Sequence, residues 1–206
     1  ALHREDSAPL VGGLGGAAMA GGAAAADTGM SAVIGGDEAS VLARLAELGL
    51  SPANYNGGGQ LVVAGALDAL QALAAEPVAG TRVVPLQVAG AFHTHYMAPA
   101  VEALRAAATD HDVSDPGVTL WTNRDGSAVS SGRAFVDLLV DQVASPVRWD
   151  LCMASFADAG VSGIVELSPA GTLVGLAKRA LRGVPAVAVK TPADLEAAAA
   201  LVAADA

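Results

Sequence analysis

His93 is the residue in this 206-residue chain whose type and setting most directly suggest chemistry. It stands in Gln87-Val-Ala-Gly-Ala-Phe-His93-Thr-His-Tyr-Met-Ala-Pro99, just past a valine-rich stretch and just ahead of a helical pattern. Proteins of the α/β class open their binding crevices beyond strand ends, and the small pair Gly90-Ala91 lets backbone approach a substrate closely. A histidine there is a candidate general base, because its ring exchanges a proton near neutral pH. Placement alone does not assign it, since single histidines near strand ends are usually packed or solvated. His95 and His111 read as surface residues. Lys178, Arg179 and Arg182 form a compact basic cluster, suited to an acidic partner or to a solvated helix face. Arg148 reads as structural, its stem covering Trp149. The single cysteine, Cys152, excludes an internal disulfide framework and a zinc cluster, and reads as a small buried hydrophobe.

These residues need a scaffold, and the hydrophobic periodicity supplies one. Met30–Ile34 reads as a strand and Gly35-Gly36 as a turn; Asp37 then caps a helix whose Val41, Leu45 and Leu48 share a face. Pro52–Asn56 and Gln60–Val63 read as strands around the turn Gly57-Gly58-Gly59. A helix using Leu67, Leu70 and Leu73 ends at Pro77, and Thr81–Val88 supplies a fourth strand. The order β-α-β-β-α-β is the split ferredoxin-like pattern, so residues 29–88 are expected to form a small lobe.

Beyond His93, Met97, Val101, Leu104 and Ala108 make a helical stripe, and Val118–Thr122 reads as a strand closed by the turn Asn123–Gly126. Helices are expected over 134–143, 149–159 and 173–181, with a strand at 163–167. Thr191, Pro192 and Asp194 start a last helix. Alternating strands and helices over 118–203 predict a partial parallel sheet flanked by helices. The chain is therefore expected to be α/β, divided as 29–88 and 89–206. Residues 1–28 stand apart, because their glycines at about 1 kcal/mol each weigh against a core helix despite the helical spacing of Leu10, Leu14 and Ala18.

Composition narrows the partners. Eleven basic against 21 acidic side chains, net −10, argues against a nucleic-acid backbone or an anionic membrane surface, since both would repel the chain. Residues 1–36 lack the strongly apolar core of a secretory signal, and no stretch approaches the ~20 apolar residues of a membrane span. A cytoplasmic protein is expected.

The string Gly90-Ala-Phe-His93-Thr-x-x-Met-x-Pro-Ala100 resembles the histidine loop of malonyl-CoA:acyl carrier protein transacylases. Thr28-Gly-Met-Ser-Ala, Asn54-Tyr-Asn-Gly-Gly-Gly-Gln60, Ser145-Pro-Val-Arg-Trp149 and Glu166-Leu-Ser-Pro-Ala-Gly-Thr-Leu173 match the same family in order and spacing. The resemblance implies ping-pong transfer without a cofactor: a serine takes malonyl from coenzyme A and passes it to the phosphopantetheine thiol of acyl carrier protein. His93 would be the base, with its Nδ1–H held by the main-chain carbonyl of Gln142. Asn54, Asn56 and Gln60 would line the channel between the lobes, although asparagine and glycine also serve plain turns. Phe92 would select malonyl, since an aromatic before the base goes with malonyl and a serine with methylmalonyl. The cluster Lys178, Arg179, Arg182 would meet the carrier protein.

The family's Gly-His-Ser-x-Gly nucleophile turn and Gly-Gln-Gly-x-Gln oxyanion loop do not occur in this sequence. Gly15 falls where the family has the arginine that pairs with the malonyl carboxylate. The expectation is thus the C-terminal two-thirds of a transacylase, with residues 1–28 a Gly/Ala-rich remnant of the large lobe and 89–206 its C-terminal part. The alternatives are an acyltransferase domain of a polyketide synthase and a noncatalytic binding module.

Overall fold

The computed structural model describes residues 27–109 and 111–204. The readings made for residues 1–26, including Gly15, lie outside the described residues. Strand β1 (Thr28–Gly35) leads through Gly35 and Gly36, both at positive φ, into helix α1 (Glu38–Glu47). Asp37 caps this helix as its side chain predicts, accepting from the amide of Ser40 at 2.9 Å. Strands β2 (Ser51–Gly57) and β3 (Gln60–Ala66) form a hairpin, followed by α2 (Leu67–Ala75) and β4 (Thr81–Pro85). β1 runs antiparallel to both β3 and β4, with Val33 opposite Leu61 and Val83.

Period-two alternation decides which face each strand residue covers. Val33, Leu61 and Val63 face α1 and α2, where they pack with Val41, Leu45, Leu70 and Leu73. Met30, Val62 and Ala64 cover the opposite face, where Ala53 and Ala91 complete a second cluster. The site is built on that second face.

The expected fourth strand, 81–88, ends at Pro85. Its last tie to β1 is the bond from Leu86 N to Met30 O, after which Val88 turns back on Leu86. A 3₁₀ turn, His95–Met97, opens α3 (Ala98–Thr109), so Met97 precedes the helix proper while still packing with Leu104 and Ala108. Helix α4 (Gly132–Gln142), capped by Ser131, closes this core with Val136 and Val140.

The expected strand over 118–122 shortens to β5 (Leu120–Trp121), which pairs antiparallel with β6 (Ala128–Val129). Val118 is 73% exposed, since no sheet covers it. The turn between them needs Gly126: a Cβ there would sit 2.5 Å from the backbone of Leu151.

A short strand that the sequence pattern did not suggest, β7 (Val147–Arg148), adds parallel to β2, with Asn54 opposite Val147 and Tyr55 opposite Arg148. The resulting mixed sheet has the order β4-β1-β3-β2-β7. Helix α5 (Trp149–Asp158) follows. The strands β8 (Ile164–Glu166) and β9 (Ala186–Ala188) then pair in parallel, with α6 (Thr172–Ala180) and α7 (Leu195–Ala203) packed on them. The chain is α/β, with mixed pairing and helices on the sheets.

Glu166 fixes the start of α6. The residue is 8% exposed, and its carboxylate accepts from the amides of Gly171 (2.8 Å), Leu173 (3.0 Å) and Val174 (2.9 Å), satisfying donors that a helix start leaves open. Burial by itself pushes this carboxyl up, but the three N–H bonds outweigh it and hold Glu166 below the usual carboxylate range. A depressed folded pKa stabilises above the unfolded value of about 4.3 and ceases to do so as pH falls through the folded pKa. Glu166→Gln is accordingly expected to cost about 1–3 kcal/mol at pH 7, with a gap to wild type that narrows steadily below about pH 4. Urea melts across that pH range check both; a gap constant with pH would contradict the assignment.

Candidate active site

His93 adopts φ 59°, and it has the one positive φ recorded for a non-glycine among the described residues. A side chain in the left-handed region is strained and persists where its neighbours are fixed. Here they are. The amide of Ala91, a fully buried residue, donates to Thr28 Oγ1 at 3.1 Å. Thr94, 3% exposed, donates through Oγ1 to Ala91 O at 2.6 Å and accepts from the amide of Tyr96. Phe92 packs against both the α3–α4 core and the sheet cluster of Met30 and Val62. The chain on either side of His93 is thus pinned to β1, to the sheet face and to the start of α3.

His93 Nδ1 lies 2.9 Å from the carbonyl oxygen of Gln142. A carbonyl only accepts, so the proton sits on Nδ1, and the neutral ring keeps its Nε2 lone pair for a proton. Gln142 is the last residue of α4, and terminal helix carbonyls lack intrahelical partners and carry partial negative charge.

His93 and Phe92 border a cavity of about 720 Å³. Asn54 and Asn56 reach it from β2, while Met30, Val62 and Leu86 supply its apolar wall. The opposite side is made by Asn123, Trp149, Thr172, Leu173 and Leu176, none of which was singled out from residue type. Trp149 and Thr172–Leu173 do lie in two of the recognisable strings, Ser145–Trp149 and Glu166–Leu173, so a signal existed. Asn123 had only its turn. An apolar cavity with a few convergent amides and one imidazole suits a small molecule that is mostly apolar and is oriented by a few polar contacts.

The other candidates are placed apart. Gln60 lies outside the cavity, its Oε1 accepting from Arg179 Nη2 at 3.0 Å. Lys178, Arg179 and Arg182 are exposed around the end of α6, the helix whose first turn lines the cavity. The Arg148 guanidinium lies 4.6 Å from the centre of the Tyr55 ring and grips both oxygens of Asp150, at 3.0 and 2.7 Å. It thus braces β2 against α5. His95 is exposed and rests against Tyr96; His111 is half-buried. Burial pushes the Cys152 thiol up to about 11, with the Asp150 and Asp125 charges adding to it, so at neutral pH it is a packed thiol and no nucleophile. No cluster of metal-ligating side chains occurs among the described residues.

Comparison with known proteins adds independent findings. The model of the acyl transferase domain family matches residues 1–201. The malonyl CoA-acyl carrier protein transacylase of Mycobacterium tuberculosis is 57% identical over 181 residues, covering 88% of this chain and 60% of that protein. The enzyme of the same description from Escherichia coli K12 is 34% identical, covering 82% and 57%. The crystal structure of MCAT from Mycobacterium tuberculosis superposes with a TM-score of 0.87 at 55% identity, over 91% of this chain and 62% of that one. A malonyl-transacylase in complex with a type II PKS acyl-carrier protein gives 0.85 at 28%, over 92% and 63%. The chain spans about 60% of the length of these curated relatives. With the family model running from its first residue to residue 201, this chain belongs to the acyl transferase domain family.

Proposed function

We propose that the protein containing these residues moves malonyl from coenzyme A to the phosphopantetheine thiol of acyl carrier protein in fatty acid synthesis, in the cytoplasm and without a cofactor. The observation that carries this reading is the Nδ1–H bond from His93 to Gln142 O, beside an amide-lined apolar cavity. Nε2 takes the proton of a serine as its oxygen attacks the malonyl thioester, then returns it to the departing coenzyme A thiol. In the second half Nε2 takes the carrier thiol's proton, the sulfur attacks the acyl-serine, and the departing serine oxygen receives that proton back. A thioester is activated enough for a serine–histidine pair whose histidine is oriented by a carbonyl alone.

Asn54 and Asn56 would hydrogen-bond the pantetheine arm, with residues 29–88 forming a lobe that covers the channel and 89–206 the base-bearing part of the larger lobe. Gln60, tied to Arg179, belongs to the rim in this reading and contacts the arm only near its entrance. Lys178, Arg179 and Arg182 would receive the acidic carrier protein. The malonyl-transacylase bound to a type II PKS carrier favours one further reading, in which the carrier belongs to a polyketide pathway.

Three outcomes test the proposal. Because the Gly-His-Ser-x-Gly turn is absent from the 206 residues, the chain by itself is expected to form no malonyl ester; mass spectrometry of the purified chain after exposure to malonyl-CoA decides this. In a polypeptide that supplies the serine, His93→Ala should lower the acylation rate by at least about 10²-fold, while His95→Ala stays near wild type. Loss from the second substitution and not the first would reassign the base.

Phe92 bears on selectivity, because its ring fills space that a methyl on the malonyl α-carbon would need, and overfilling a packed site costs about 1–3 kcal/mol. Phe92→Ser is therefore expected to raise the methylmalonyl-to-malonyl ratio of kcat/KM by about tenfold or more. An unchanged ratio in a folded variant would assign Phe92 to packing alone.

A further inference from the structure

Gln142 meets the site through its main chain, yet its side chain makes a second set of contacts that the proposed reaction does not use. Nε2 donates to Ser145 O at 2.9 Å and to Pro146 O at 3.0 Å. Its own carbonyl accepts from the amide of Ser145 at 3.3 Å as well as from His93 Nδ1. One residue thus closes a ring with Ser145 and Pro146, the third and fourth residues after α4, and both side-chain amide hydrogens have acceptors. Immediately after Pro146 the chain becomes β7, which pairs with β2 at Asn54 and Tyr55.

We infer that the side-chain amide of Gln142 is a positioning group for His93: it holds the carbonyl that accepts Nδ1–H at a fixed place relative to β7, and thereby to the cavity amides of β2. Helix ends fray, and a terminal carbonyl tied by one 3.3 Å bond would swing. The two Nε2 bonds remove that freedom. Both acceptors are main-chain carbonyls, so only a donor at this position serves: an apolar side chain leaves Ser145 O and Pro146 O without the amide, and a carboxylate repels them. Because Nδ1–H is held only while the carbonyl stays in line, the amide acts on the tautomer of His93 through Gln142 O. The inference rests on His93 being the base, but its consequence is a property of the ring that is measurable without turnover.

The test is nitrogen-15 NMR of the histidine ring in the full 206-residue chain. Wild type should show His93 with the proton on Nδ1. Gln142→Met, of similar length but with no donor, should lower the ratio of the Nδ1–H to the Nε2–H form by about five- to tenfold, the scale of one hydrogen bond. Gln142→Lys, which restores a donor on a flexible stem, should recover most of that ratio. An unchanged ratio in a folded Met variant, or equal effects of Met and Lys, would overturn the inference. If the Met variant does not fold, the wild-type chain still decides: the Gln142 side-chain amide protons should exchange slowly with solvent, and exchange as fast as for an exposed glutamine would overturn it. Failure of the base reading is distinguished separately, by full acylation activity after His93→Ala in a polypeptide that supplies the serine, alongside an intact tautomer dependence on Gln142 in the 206-residue chain.

Discussion

The hydrogen bond from His93 Nδ1 to Gln142 O is the contact on which the rest of the site depends. It sets the tautomer, frees Nε2 and joins a loop following the first sheet to the end of a helix 49 residues later. Both partners are held under constraint. His93 sits in the left-handed region because Ala91 and Thr94 are buried and bonded on either side of it. Gln142 ends α4, whose inward face packs Val136 and Val140 against α3. His93 cannot move without disturbing a core, which is how a strained histidine is retained, while Gln142 is tied to one through α4 and to Ser145 and Pro146 through its side chain.

The second constraint is the parallel pairing of β7 with β2. It adds a strand from the later half of the chain to the sheet of the earlier half, so the amides of Asn54 and Asn56 are referenced to the same backbone that leads away from Gln142. On the other face Arg148 lies over Tyr55 and grips Asp150, reinforcing the register where the ladder is only two residues long. Residues of β2 therefore alternate between bordering the cavity and bracing the joint.

Glu166 completes the opposite wall. A carboxylate buried at the end of β8 would be costly by itself, but three amides of the following loop and helix satisfy it. The outcome is a helix start positioned from within, with Thr172 and Leu173 turned toward the cavity and the basic residues of α6 at its far end.

Local chemistry was legible from residue type. Asp37 accepting from Ser40, the positive-φ glycines at 35–36 and 57–59, the α1 stripe, and Leu70 and Leu73 of α2 follow from side chains that act within a turn or two, whereas Leu67, expected on the same α2 stripe, is 44% exposed. Family strings carried Phe92, His93, Asn54 and Asn56, which do border one cavity. Tertiary structure alone decided the rest. Two residues, Val147 and Arg148, are too short to show a period and become a strand only because β2 offers an open edge. Val118 has strand character in sequence but no sheet to cover it. The positive φ of His93, the second set of bonds made by Gln142 and the diversion of Gln60 to Arg179 depend on partners far away in the chain. Sequence periodicity reports which face a residue turns inward; it does not report what waits on the other side.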